Sequence, residues 1–312
     1  RVRSSAASDV YKRQVPVAVL GGAIRVSTPF IFVSLGECIT ERSGRINLGL
    51  EGTLVMGAMA GYGVSYLTGS PWLGVLAAGI TGAGMGAIHA GICGLPRVND
   101  IAVGIALMLF GVGLAFYLGK PLIEPTAPRL PSIDLGWWSD IPQLRAALRI
   151  NVLFIIGVVL APVLVWALRT TRWGLIIRTA GESADAALAM GYSVNFIRLR
   201  ATMFGGFLGG IGGSFLSLYY PGSWNEGLSS GQGITAVALV IFARWKPMLC
   251  LGASTLFGGA AALGPALQSV GYSHGYHLFN AAPYILTLLI MIATCSPKRT
   301  LIGAPAELSI TR

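Results

Sequence analysis

A chain of 312 residues that is 54% hydrophobic and only 11% charged, with a mean hydropathy of +0.70, is not an ordinary soluble domain, whose charged share is about 25%. Its 22 Lys and Arg exceed its 12 Asp and Glu by +10, yet the cations stand singly between oily runs, which argues against a nucleic-acid surface and for membrane topology. The class is all-α, a polytopic membrane helix bundle, and 43 glycines, about twice the usual share, imply closely packed helices. Cys38, Cys93, Cys250 and Cys295 lie in or beside apolar segments without CxxC spacing, so they read as small hydrophobes rather than a metal or disulfide set.

Residues 1–14, RVRSSAASDVYKRQ, are polar and basic, with neither the apolar core nor the cleavage site of a signal peptide. They resemble a translated adaptor and are expected to be a non-native or disordered tail, with the native chain beginning near Val15. A single transmembrane domain is expected over 15–300, followed by a tail over 301–312. Within it, Val15 to Cys38 is apolar enough to span, and Arg25 and Pro29 are expected to divide it into an interfacial and an inserted part.

Ile46 to Leu67 makes a second span, with Asn47 and Glu51 four apart on one helix face and Gly57 and Gly61 at small-xxx-small spacing. Pro71 to Leu95, with Gly82 and Gly86, is a third, and Asp100 to Leu118, capped by Asn99 and Asp100, is a fourth. Lys120 to Arg149 is rich in Pro and contains Trp, as in an ordered loop on one face. Asn151 to Leu168 is the fifth span.

Arg169 to Arg200 then interrupts the oily pattern. Inside it, Ala184 to Met190 is a short helix former preceded by the capping residue Ser183, with Asp185 at its positive end and Gly191 fit for a left-handed stop. Two readings stand: a solvated loop, or a docking knob for a soluble partner. Downstream, Ala201 to Tyr220 carries Gly205, Gly209 and Gly213 along one face, against which a neighbouring helix must press. Ile234 to Ala243 is too short to cross alone and is expected to be broken or re-entrant. Leu249 to Leu267 and Pro283 to Thr294 complete eight or nine spans. The positive-inside rule places Arg169 to Arg200, Arg244 to Pro247 and Lys298 to Arg299 in the cytoplasm and the N-terminus outside.

No Walker A loop, HExxH, GxSxG or clustered metal ligand occurs, so no catalytic residue, metal or cofactor is expected. His89, His274 and His277 are scattered and read as structural. Glu51 is the most informative exception to the oily pattern: it either faces a substrate pathway together with Asn47, or pairs with Arg42 or Arg45 to fix the helix end. A pathway carboxylate also leaves an ion-coupled secondary transporter open, and a non-transporting scaffold is the third possibility.

Taken in order, Thr28-Pro29 with Gly36-Glu37, GRINLGLEG at Gly44 to Gly52, the polar run Arg169 to Glu182, AALAMGYSV at Ala186 to Val194, the glycine span, GQGITAVALVIFARWKP at Gly231 to Pro247 and Pro283-Tyr284 carry a resemblance. Together they make the chain similar to the inner-membrane permease subunits of bacterial ABC importers for nucleosides and simple sugars, within the broader ribose and branched-chain amino acid permease class. Departures are small, chiefly Ala243 where a glycine is expected and Thr179-Ala180 for a usual Ala-Val pair. The resemblance implies that Ser183 to Gly191 is a coupling helix seated in an ATP-binding subunit, with Glu182, Asp185 and the arginines as polar contacts and small Ala186, Ala187 and Ala189 allowing deep seating. It further implies a second homologous permease, an ATP-binding cassette subunit in fused tandem form, a substrate-binding lipoprotein, and the plasma membrane as location.

Overall fold

The computed structural model describes residues 2–138, 145, 148–269, 281–294 and 303–310. His274, His277, Cys295, Lys298 and Arg299 lie outside these described residues. In chain order the helices are α1 (Val2–Arg42), α2 (Leu50–Thr68), α3 (Pro71–Cys93), α4 (Asp100–Gly119), α5 (Val152–Thr170), α6 (Arg172–Glu182), α7 (Ala184–Ala189), α8 (Val194–Leu218), α9 (Gln232–Phe242), α10 (Pro247–Ser269), α11 (Ala282–Thr294) and α12 (Glu307–Ile310). Two short strands, β1 (Ser132–Asp134) and β2 (Arg149–Asn151), lie between α4 and α5.

Six helices among the described residues are long and apolar enough to cross a membrane, namely the Val19–Arg42 part of α1 together with α3, α4, α5, α8 and α10. The polytopic helical bundle read from composition is therefore present. α2 has 19 residues but is diluted by Glu51, glycines and tyrosines, and it is enclosed by other helices rather than by lipid. α9 and α11, of 11 and 13 residues, rise only about 16 and 20 Å at 1.5 Å per residue, short of a hydrocarbon core of about 30 Å.

α1 runs as one continuous helix through Arg25 and Pro29, the positions at which an interfacial part is expected to give way to an inserted one. The Ser27 and Thr28 hydroxyls both donate to the Ile24 carbonyl, at 3.3 and 2.8 Å, in the turn that precedes Pro29.

The chain forms two compact units. The larger comprises Pro29–Leu130, Gly157–Ala253 and Leu301–Arg312 and is organised around α8, along which α2 and α3 pack, with α4 laid on α2. Glycine makes these approaches possible. A Cβ on Gly57 of α2 would lie 2.6 Å from the Gly210 Cα, and one on Gly36 of α1 would lie 2.5 Å from the Gly205 carbonyl oxygen. Gly82 and Gly86 of α3 meet the α8 backbone at Gly206 and Thr202.

The single helix expected against Gly205, Gly209 and Gly213 is in fact two. Gly205 faces Gly36 and Thr40 of α1, Gly213 faces Leu54 and Ala58 of α2, and Gly209 has only ordinary contacts, with Leu50 and Thr53. A helix enclosed on several sides needs small residues on each of them, so a one-face reading of GGFLGGIGG captures only part of the packing. Also in this unit, the Tyr62 hydroxyl donates to the Pro125 carbonyl at 2.8 Å, and Trp224 Nε1 donates to the Gly119 carbonyl at 2.9 Å.

The smaller unit comprises Arg1–Thr28, Pro131–Ile156 and Ser254–Thr300. Within it, β1 and β2 pair antiparallel with Ser132 opposite Asn151, and Asn151 begins α5 by accepting from the Leu153 N–H at 2.8 Å. Arg145 donates to Asp134 at 2.8 Å and holds that half-buried carboxyl below its usual range. The described parts of the long polar connection are thus tied down by pairing and an ion pair.

Candidate functional site

The polar interruption folds into a helix, a cap and a second, shorter helix. Thr171 caps α6 by accepting from the Gly174 N–H at 3.1 Å. Ser183, in an extended conformation at φ −157°, ends α6 and begins α7, its hydroxyl accepting from the Ala186 N–H at 3.1 Å. α7 stops at Gly191, whose φ of +81° favours glycine, and the Tyr192 N–H closes the end on the Ala187 carbonyl at 3.0 Å. Both caps were legible in the sequence.

Of the residues expected to meet a partner, Glu182, Asp185, Ala186, Ala189 and Gly191 are exposed and Ser183 is half-buried. Ala187 is not available: it is 1% exposed and points into its own chain. The sequence reading missed the apolar tip, where Leu188 and Met190 are 58% and 52% exposed, with Tyr192 and Phe196 exposed beside them. Their signal was present in the sequence, since large apolar side chains on a two-turn polar loop have no lipid to face. Arg200 lies over the Phe196 ring, 4.1 Å from its centroid.

Behind α7 lies a brace that sequence reading did not find. Glu307 of α12 accepts from the Ala184 N–H at 2.8 Å with one carboxylate oxygen and from Arg198 at 3.0 Å with the other. Arg198, on the first turns of α8, also donates to the Ser43 carbonyl at 3.1 Å and the Ala180 carbonyl at 3.5 Å. The Arg198–Glu307 pair is largely shielded, at 11% and 14% side-chain exposure, and so retains more of its strength than a surface pair. One ionic knot thus joins the start of α7, the end of α6, the base of α8 and the turn between α1 and α2.

Asn47 and Glu51 do not share a helix face. α2 begins only at Leu50, and Asn47 lies in the preceding turn, its N–H donating to Glu37 at 2.7 Å and its side chain accepting from the Gly49 N–H at 2.9 Å. The glycines at 44 and 49 and the side-chain turn of Asn47 outweigh the helical spacing. Glu51 pairs with neither Arg42 nor Arg45. Arg45 instead holds Asp100 at 2.5 Å, leaving Asn99 alone to cap α4, while the Arg42 Nε donates to the Trp245 carbonyl at 2.8 Å.

Both oxygens of buried Glu51 face the start of α9. One accepts from the Ser229 hydroxyl at 2.5 Å and the Gly231 N–H at 3.0 Å, and the other from the Gly233 N–H at 2.6 Å. A carboxylate placed on the unsatisfied N–H groups at the positive end of a helix is strongly favoured there. The far end of α9 is held as well. Arg244 and Trp245 both take positive φ, at 49° and 54°, and buried Trp245 donates from its indole to Glu41 while Arg42 binds its carbonyl. α9 is therefore a half-length helix clamped at one end by α2 and at the other by α1. Beside it lies a cavity of about 560 Å³ whose wall includes Glu41, Asp100, Val237, Ile241 and Leu308.

Buried His89 donates from Nε2 to the Ile46 carbonyl at 3.1 Å, as a structural histidine does. Among the described residues no group of His, Cys, Asp and Glu could hold a metal ion.

Comparison with known proteins follows the same lines. The family described as branched-chain amino acid transport system / permease component matches residues 19–295. A Haloferax volcanii protein provisionally named as a glucose ABC transporter permease is 32% identical over 81% of this chain and 78% of its own length. The guanosine ABC transporter permease protein of Bacillus subtilis called NupQ is 30% identical over 89% of this chain and 92% of its own. The nucleoside ABC transporter permease protein of Lactococcus lactis is 28% identical over 88% and 90%.

Proposed function

Because the chain belongs to the branched-chain amino acid transport system / permease component family, we propose that it is the membrane-spanning subunit of an ATP-driven importer whose cargo is a nucleoside or simple sugar. The cargo class is supported by the names of the relatives, which align over most of their length. ABC permeases work with an ATP-binding subunit and a substrate-binding protein. Here we add a second homologous permease, a fused tandem ATP-binding subunit and a lipid-anchored binding protein. Six long helices account for six crossings; we take α2 as a further span and α9 as re-entrant, within an expected total of eight or nine.

The observation that carries the coupling assignment is α7 itself: a capped, rigid helix with an exposed apolar tip and a braced rear. A partner groove that takes Leu188 and Met190 moves α7 as a unit, and the Glu307–Arg198 knot passes that motion to the base of α8 and the α1–α2 turn. Glu182, Ser183, Asp185, Ala186 and Gly191 form the polar surround and caps of this knob, whereas Ala187 anchors it to its own chain.

Glu51 and Asn47 contribute to the pathway indirectly. Glu51 fixes α9 along the cavity wall, and Asn47 fixes the turn that delivers Glu51. The cavity lies within the 300–1,000 Å³ range of small-molecule sites. An ion-coupled mechanism gains no support, because both Glu51 oxygens are already engaged by three donors.

The test is uptake of radiolabelled guanosine and glucose into proteoliposomes holding the assembled transporter. The proposal predicts accumulation that requires ATP and persists when proton and sodium gradients are collapsed. Accumulation that follows a gradient without ATP refutes it.

A further inference from the structure

A second cavity, of about 210 Å³, lies in the larger unit, and its wall brings together Arg42, Arg169, Arg178 and Lys246. These four cations come from four separate segments: the last residue of α1, the last turn of α5, the middle of α6, and the residue just before α10. Among the described residues its wall contains no carboxylate. Among the described residues none of the four forms an ion pair within 4 Å; Glu41, next to Arg42, accepts from Trp245, and Asp100 holds Arg45.

The position of the cavity in the membrane follows from the helices that frame it. α1 and α5 end at it and α10 begins at it, so it lies at the level where three spans meet one membrane surface. That surface is the one bearing α6 and α7, the cytoplasmic side by its basic content. The rest of the wall is apolar, including Leu168 and Met248 on the span side of the cations. A site that is basic at headgroup depth and apolar toward the hydrocarbon matches a phosphate-bearing amphiphile.

We propose that this cavity binds the phosphate headgroup of an anionic phospholipid of the cytoplasmic leaflet, with its acyl chains against the α5 and α10 side. Four uncompensated cations from separate segments repel one another, and a bound phosphodiester removes that repulsion. Because Arg178 belongs to α6, which leads directly through Ser183 into α7, the lipid also supports the helix that carries the knob. The binding claim is independent of the transport reading. It concerns a static site and is read out without ATP or substrate.

The experiment is native mass spectrometry of the full chain in mild detergent with phosphatidylglycerol or phosphatidylcholine. The wild type retains phosphatidylglycerol in preference to phosphatidylcholine. Arg169→Gln/Arg178→Gln loses that preference by roughly tenfold or more, given the contribution of each basic residue near an anionic headgroup. Arg172→Gln/Arg200→Gln, which removes two exposed arginines of the same polar run that do not line the cavity, retains it. Equal loss in both double variants shows a diffuse charge effect and overturns the site. Displacement of the lipid by millimolar inorganic phosphate assigns the cavity to a free anion and overturns the lipid proposal.

Discussion

Replacing Glu51 by alanine removes the acceptor from three donors at once, the Ser229 hydroxyl and the Gly231 and Gly233 N–H groups, in a site where Glu51 is 7% exposed. A buried donor left without a partner costs about 1–3 kcal/mol, so the two stranded N–H groups cost roughly 2–6 kcal/mol once the Ser229 hydroxyl turns to another acceptor. For a chain of this size that corresponds to a fall of roughly 4–12 °C in apparent melting temperature, read at one fixed scan rate because membrane proteins unfold irreversibly. Glu51→Gln preserves the shape but offers one oxygen where two are used, so one N–H opposes an amide N–H and the fall is smaller, roughly 2–6 °C. The assay is fluorescence-detected size exclusion of the detergent-solubilised protein after a heating series. If both variants melt with the wild type, Glu51 does not hold α9. If glutamine is worse than alanine, its charge serves something other than this cap.

Three further outcomes follow from the geometry. Gly57→Val drives a side chain into the Gly210 backbone, 2.6 Å from the new Cβ, and the overpacking of about 1–3 kcal/mol or more lowers the yield of monodisperse protein on size exclusion. Arg45→Met strands Asp100 in a buried site at a cost of about 3–5 kcal/mol, whereas Arg45→Met/Asp100→Leu recovers much of it in the same heating series. Glu307→Ala frees the Ala184 N–H and Arg198 from their shared partner, so the ATP-binding subunit still copurifies but the ratio of substrate moved to ATP hydrolysed falls several-fold.

Features set by neighbouring residues were visible in the chain before folding. Ser183 and Gly191 bound α7 through bonds three to five residues long, and the glycine spacings of α2, α3 and α8 announced close helix packing. Features set by distant partners were not visible. Glu51 meets α9 across about 180 residues of chain, and a lone acid in a span says only that a partner exists. Glu307 lies 123 residues from Ala184 in a segment with no local signal, and only folding brings it behind α7. Asn47 was misplaced because helical spacing from Glu51 was extended through Gly49, where the chain still turns. Ala187 was misassigned for a simpler reason: in a six-residue helix the periodicity is too short to tell an outward alanine from an inward one.

Binding of the ATP-binding subunit to α7 is the measurement that bears most directly on the account. Tagged chains carrying Leu188→Glu or Gly191→Asp are purified from membranes that also hold that subunit, and the bound fraction is compared with the wild type. A charge in place of Leu188 at the exposed tip, or an L-residue strained at φ +81°, is expected to reduce the bound subunit at least tenfold while the chain itself remains monodisperse. Wild-type levels of the ATP-binding subunit on both variants would contradict the assignment of α7 as the coupling helix.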